Sequence, residues 1–235
     1  MKNIERRWWL AGIAALGLVA GGCSSSTGAK AAPTTNAPAT SAAPSTTSGA
    51  ASTTVPGSTT PTQHHVAATP ASDALAAMMI STVPGHTLQP DSVGDTGPSD
   101  LRKAADDDGD KDARAVLVKD GFQVGYQRLF VTGSKDREVI VFIYRFATHA
   151  GAAAYEARGH AEMAADKSIK PQSFTVTGIP GAHGLHATTS DGTDVHVVSY
   201  VKGVYAVQIV TTAKDAAADI APSAADLATE QYAKV

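Results

Sequence analysis

Three groups of side chains have types and spacings that could do chemistry. The first is the acidic run Asp106-Asp107-Asp108-Gly109-Asp110-Lys111-Asp112. Carboxylates at alternate positions around a glycine are how a calcium loop gathers its oxygen ligands, so Asp106, Asp108 and Asp110 are calcium candidates. With Gly109 at the sixth position of an EF-hand loop, however, the first and twelfth positions are Ala104 and Ala115. Both outermost ligands are then missing, and the simpler reading is a solvated acidic loop between two helices. The second group is His183, His186 and His196, three imidazoles that could hold zinc if they converged. His186 and His196 lie on either side of Asp191-Gly192, whereas His183 falls in a turn region, so the sequence leaves their convergence open. His149 and His160 share one side of a helix, but about 16 Å of rise separates them, too far for one ion. The adjacent pair His64-His65 brings no further ligand with it. The third group is Cys23 alone, which excludes an intramolecular disulfide and any all-cysteine metal centre.

Enzyme signatures are missing. The chain contains no His-Glu-x-x-His zinc helix, no Gly-x-Ser-x-Gly elbow and no phosphate loop ending in Gly-Lys-Ser/Thr. The run Gly178-Ile179-Pro180-Gly181-Ala182-His183-Gly184 has the wrong glycine spacing for a dinucleotide fingerprint, and Pro180 suits a loop. No catalytic residue and no cofactor is expected.

The elements that must position these groups come in three parts. Lys2, Arg6 and Arg7 form a positive head, and residues 8–22 follow with no charge. That run is shorter than the roughly 20 residues a spanning helix needs, and it exits through Ala20-Gly21-Gly22, as a secretory signal peptide does. Cys23 follows at once, and the segment resembles the lipobox of bacterial lipoproteins, although the family prefers Leu where this chain has Ala20. The resemblance implies a diacylglyceryl group on the Cys23 thiol and removal of residues 1–22. An uncleaved anchor, or cleavage beside an unmodified cysteine, are the alternatives. Two acyl chains give stable membrane attachment where one gives only reversible binding. Arg6-Arg7 before Trp8-Trp9-Leu10 is also similar in part to a twin-arginine export signal.

Residues 23–70 are Ser, Thr, Ala, Pro and Gly with little else, and Lys30 is their one formally charged residue. Such a segment buries too little apolar surface to offset its chain entropy, so a disordered tether is expected. As a flexible coil it would reach roughly 35–40 Å. Residues 71–235 then hold 15 Lys+Arg and 21 Asp+Glu, a formal balance of −6. A mildly acidic domain without a basic stripe is not a nucleic-acid partner.

Within this domain, patterning predicts helices over residues 71–80, 100–105 and 112–120, with Ser72 capping the first. Strands come next, over 122–131 and 139–146. The second is apolar on both faces, which predicts a central strand covered on both sides. Residues 148–165 read as the main helix, with Ala152, Tyr155, Gly159 and Met163 on one side. After Pro171 come a strand with Phe174 and Val176, a hairpin about Asp191-Gly192, a tight turn at Lys202-Gly203 and a strand over 204–211. A last helix over 223–234 turns Ala224, Leu227, Ala228 and Gln231 to one face. Residues 121–158 and 185–232 share an order of strands, turns and helix, but their identity is too low to claim a duplication.

This order of elements defines an α+β fold class, a mainly antiparallel sheet with helices packed on it. The pattern Gly121-Phe122…Gly125-Tyr126, then Phe146-Ala147-Thr148…Ala152, then Ile179-Pro180-Gly181, is similar to sensor-like domains of actinobacterial surface lipoproteins. That resemblance implies a fold and a surface setting, and no chemistry. The reading is a membrane-anchored, non-catalytic extracytoplasmic binding or sensing module, partnered by the membrane and by a cell-envelope protein or apolar ligand. The alternative is a carrier of a lipid or other apolar molecule in a cavity between sheet and helices. It is motivated by more Val, Ile, Phe and Tyr on strands than one core face can take.

Overall fold

Thr69 and Ser72 start the first helix with reciprocal hydrogen bonds between side chain and backbone, a capping box. The sequence places the cap at Ser72; the helix instead begins at Pro70, with Ser72 as its third residue. The computed structural model describes residues 64–93, 96–214 and 223–235. Residues 1–22, Cys23 and the linker as far as residue 63 lie outside the described residues.

In chain order the elements are α1 (Pro70–Met78), β1 (Thr87–Leu88), β2 (Gly97–Ser99), α2 (Leu101–Asp108), α3 (Ala113–Asp120), β3 (Phe122–Val131) and β4 (Arg137–Phe146). Then come α4 (His149–Ala165), β5 (Gln172–Phe174), β6 (His183–Thr188), β7 (Thr193–Lys202), β8 (Tyr205–Lys214) and α5 (Ala224–Lys234). The strands form one eight-stranded sheet in the order β1-β3-β4-β8-β7-β6-β5, with β2 also on β3. Every pairing is antiparallel. The protein is α+β, as its patterning predicts. No helix among the described residues is long and apolar enough to cross a membrane.

β4 lies between β3 and β8, and both its faces are covered, because the side chains of a strand alternate in direction. Val139, Val141 and Ile143 join Tyr126, Phe130, Val198, Tyr200, Val207 and Ile209 on one face, beneath Leu75 of α1 and Leu227 of α5. Ile140, with Leu129, Val195, Val197 and Val210, faces the other way, toward Met163 of α4. Tyr144 and Phe146 continue that second face against Leu117 of α3 and Ala152 of α4. The surplus of apolar strand residues therefore reflects one sheet with a core on each side. Of the two segments of shared order, one places its helix, α4, on one face of the sheet and the other places α5 on the opposite face.

Three local details differ from the sequence reading. β1 and β2 pass unread because they are two- and three-residue strands that exist only by pairing with β3. The turn between β7 and β8 is Gly203-Val204, flanked by the pair Lys202–Tyr205, one residue later than expected. Asp106, Asp107 and Asp108 are not loop residues: they form the last turn of α2, which Gly109 ends at φ 78°.

Candidate functional site

α4 is short enough to leave part of the sheet uncovered. Thr148 caps it by accepting from the Gly151 amide, and the buried Gly151, Ala152 and Gly159 let it lie close to its neighbours. At its far end the helix stops at Ala165. Asp166 accepts hydrogen bonds from the Ser168 amide and hydroxyl at 2.8 and 2.7 Å. Residues 166–171 then turn the chain away toward β5 at the sheet edge.

Beneath that end lies a cavity of about 420 Å³. Its floor is two cross-strand pairs, Leu185–Val197 and Ala187–Val195. Met163 and Ile169 form its apolar roof, with Asp110, Glu162, Asp166 and Lys167 among its polar lining residues. Burial pushes the Glu162 carboxyl above its ordinary range; Arg158 opposes the shift, while Asp110 and Asp108 reinforce it. An apolar chamber with charged groups at its margin suits one small apolar or amphiphilic molecule; ligand pockets run from about 300 to 1,000 Å³.

Next to the cavity, α4 presses a carboxylate onto the sheet. Glu156 is buried; its Oε1 accepts from the Ser199 hydroxyl at 2.7 Å, and its Oε2 lies 3.8 Å from Nε2 of His183. The His183 ring stacks on His160 at 4.1 Å. Burial and the neighbouring His183 depress the His160 pKa. His160 is thus half-buried, whereas His149 is exposed and bonds the Gly203 carbonyl.

The acidic residues of α2 each meet a different cation. Arg102 lies 3.7 Å from Asp106, Lys103 2.7 Å from Asp107, and Arg158 of α4 2.8 Å from Asp108. Carboxylates are unfavourable at a helix C-terminus, and these cations offset that cost. Asp106, Asp108 and Asp110 are not drawn together around one point. Among the described residues, the group of metal-ligating types that does converge is His186, Asp194 and His196. The structure therefore brings together two of the three sequence candidates, sends His183 to Glu156, and adds Asp194.

No protein-family model and no curated protein sequence matches the chain. Among solved structures, the extracellular domain of PknH from Mycobacterium tuberculosis is similar in outline. The identity is 12%, the match covers 74% of this chain and 100% of that one, and the TM-score is 0.43.

Proposed function

We propose that the chain is a lipid-anchored, extracytoplasmic, non-catalytic binding module whose ligand is one apolar or amphiphilic molecule. The observation that carries this reading is the cavity beneath the C-terminal end of α4, floored by Leu185, Ala187, Val195 and Val197. Native sheets are close-packed, and an apolar space of this size at the margin of a core costs stability unless something fills it. The anchoring rests on the Cys23 context and the uncharged run before it. A carrier and a sensor would use the same site and differ only in the fate of the bound complex.

Two measurements test the proposal. Native mass spectrometry of the full chain extracted in mild detergent is expected to show a co-purified small molecule or uptake of a fluorescent fatty-acid probe. Ala187→Phe, which fills the floor, should abolish that uptake with little change in melting temperature. Absence of any adduct or uptake in the parent, or equal uptake by the variant, overturns the ligand assignment. For the anchor, Cys23→Ser should release the protein from membranes or leave an unprocessed precursor, and palmitate labelling should vanish with it.

A further inference from the structure

The convergence of His186, Asp194 and His196 arises from strand pairing. In the β6–β7 register His186 stands opposite His196, and Asp194 shares the face of His196 because it is two residues away on the same strand. Asp194 Oδ1 lies 2.5 Å from Nε2 of His186, and Oδ2 lies 3.2 Å from Nε2 of His196. The two rings are 4.4 Å apart between centroids, and the three prospective ligand atoms all lie within 4.8 Å of one another. Around a tetrahedral zinc with bonds of about 2.0–2.1 Å, ligand atoms stand roughly 3.3 Å apart. The ligand atoms, already within 4.8 Å of one another, stand close to that spacing, and strands hold such a constellation more firmly than loops do.

The chemistry of the donors narrows the ion. Two imidazole nitrogens and one carboxylate oxygen form a set that zinc accepts, with a further position left for water. Calcium and magnesium call for oxygen ligands throughout, and copper(I) for sulfur. The surroundings agree. Asp194 is buried, while the His186 and His196 side chains are about one-third exposed, which leaves a way in. Thr211 pairs with His196 from β8, and its buried hydroxyl has no hydrogen-bond partner among the described residues. A water on the ion beside His196 would supply one. The Phe174 ring, 6.0 Å from that of His196, borders the site on its other side.

We infer that His186, Asp194 and His196 bind one divalent transition-metal ion, zinc before others, with an open position for water or a ligand atom. Asp194 and His196 point to the face of β7 opposite Val195 and Val197 of the cavity floor, although His186 is itself among the cavity's lining residues. The full chain, purified in detergent and stripped with a chelator, should take up one equivalent of Zn²⁺ with micromolar or tighter affinity by calorimetry. Co²⁺ should give the intense visible bands of four-coordinate geometry. His196→Gln and Asp194→Asn should each weaken zinc by at least the roughly 10–100-fold seen on losing even an outer partner of a metal ligand. His183→Gln and His64→Gln should leave it unchanged. His186→Gln, at a partly exposed position, serves if the buried Asp194 variant fails to fold. No stoichiometric uptake by the parent, or uptake that survives His196→Gln and His186→Gln, overturns the assignment.

Discussion

Gln231 of α5 closes the C-terminus of α1 on Met78. Its side-chain Nε2 donates to the Met78 carbonyl at 2.8 Å, and its Oε1 accepts from the Ile80 amide, also at 2.8 Å. Helix ends leave carbonyls without intrahelical partners, and here a residue from the far end of the chain supplies one. Gln231 and Ile80 are fully buried, so the Ile80 amide has no water to fall back on, while the Met78 carbonyl is partly buried. Gln231→Met keeps the volume and removes both bonds. The expected loss is about 3 kcal/mol, read from urea unfolding, since each orphaned buried group costs about 1–3 kcal/mol. A loss below about 1 kcal/mol would show that the amide serves packing alone.

Gly151 sits where the first turn of α4 crosses the end of α3. A Cβ built there would stand 1.9 Å from the Asp120 carbonyl oxygen, a backbone atom that cannot swing aside. Helix propensity alone would make Gly→Ala stabilising by about 1 kcal/mol. The crossing reverses the sign: Gly151→Ala should cost about 3 kcal/mol or more, the upper range of overpacking. Ala150→Gly, at the exposed neighbouring position, should cost no more than about 1 kcal/mol. Equal, small effects at both positions would refute the close approach.

Arg158 joins α4 to the last turn of α2. It meets the buried Asp108 at 2.8 Å and Glu162 at 3.3 Å, and lies over the Tyr155 ring at 5.4 Å. Burial pushes the Asp108 carboxyl upward and Arg158 offsets part of that rise. Arg158→Met leaves Asp108 in place without its cation. A cost of about 2–3 kcal/mol is expected, below that of a fully buried pair because Arg158 keeps some exposure. Adding Asp108→Asn should recover most of it; additive losses in the double variant would deny the coupling.

The parts of the molecule legible in the sequence are those determined locally. β4 declares itself by being apolar on both faces, and the inward face of α5 by Ala224, Leu227, Ala228 and Gln231 at helical spacing; all four are buried. Gly192, at φ 84°, sits in the hairpin that its pairing with Asp191 predicts. That hairpin contains the signal for Asp194 as well: once its register sets His186 opposite His196, the acid two residues away shares their face. Parity along the strand also separates His183 from His186, three residues on. What no local pattern carries is the partner from elsewhere. Asp108 reads as solvated because Arg158 is fifty residues later, and nothing local marks Glu156, whose partner Ser199 belongs to a strand beyond a hairpin. The cavity is less legible still, since it arises from where α4 stops over the floor of β6 and β7.

Glu138, on β4 opposite Thr212, is a carboxylate placed where the fold disfavours its charge. It is buried, and its Oε2 has no hydrogen-bond partner among the described residues. Burial raises its pKa above the ordinary 4.5, and Lys214 opposes only part of that rise. Between 4.5 and the raised value the unfolded chain has released this proton while the folded chain still holds it. The folded state then binds more protons, so stability falls as pH rises through that window. Below it, both states are protonated and the contribution is fully present. Glu138→Gln removes the titration. Its stability relative to the parent, from urea unfolding at a series of pH values, should be nearly level at about pH 3–4 and should rise as pH increases past 4.5. Taking the difference between the two proteins cancels the opposite trend from Asp100 and Asp194, whose pKa values are lowered. A difference that stays flat from about pH 3 to 8 would mean that Glu138 is solvated well enough to ionise freely.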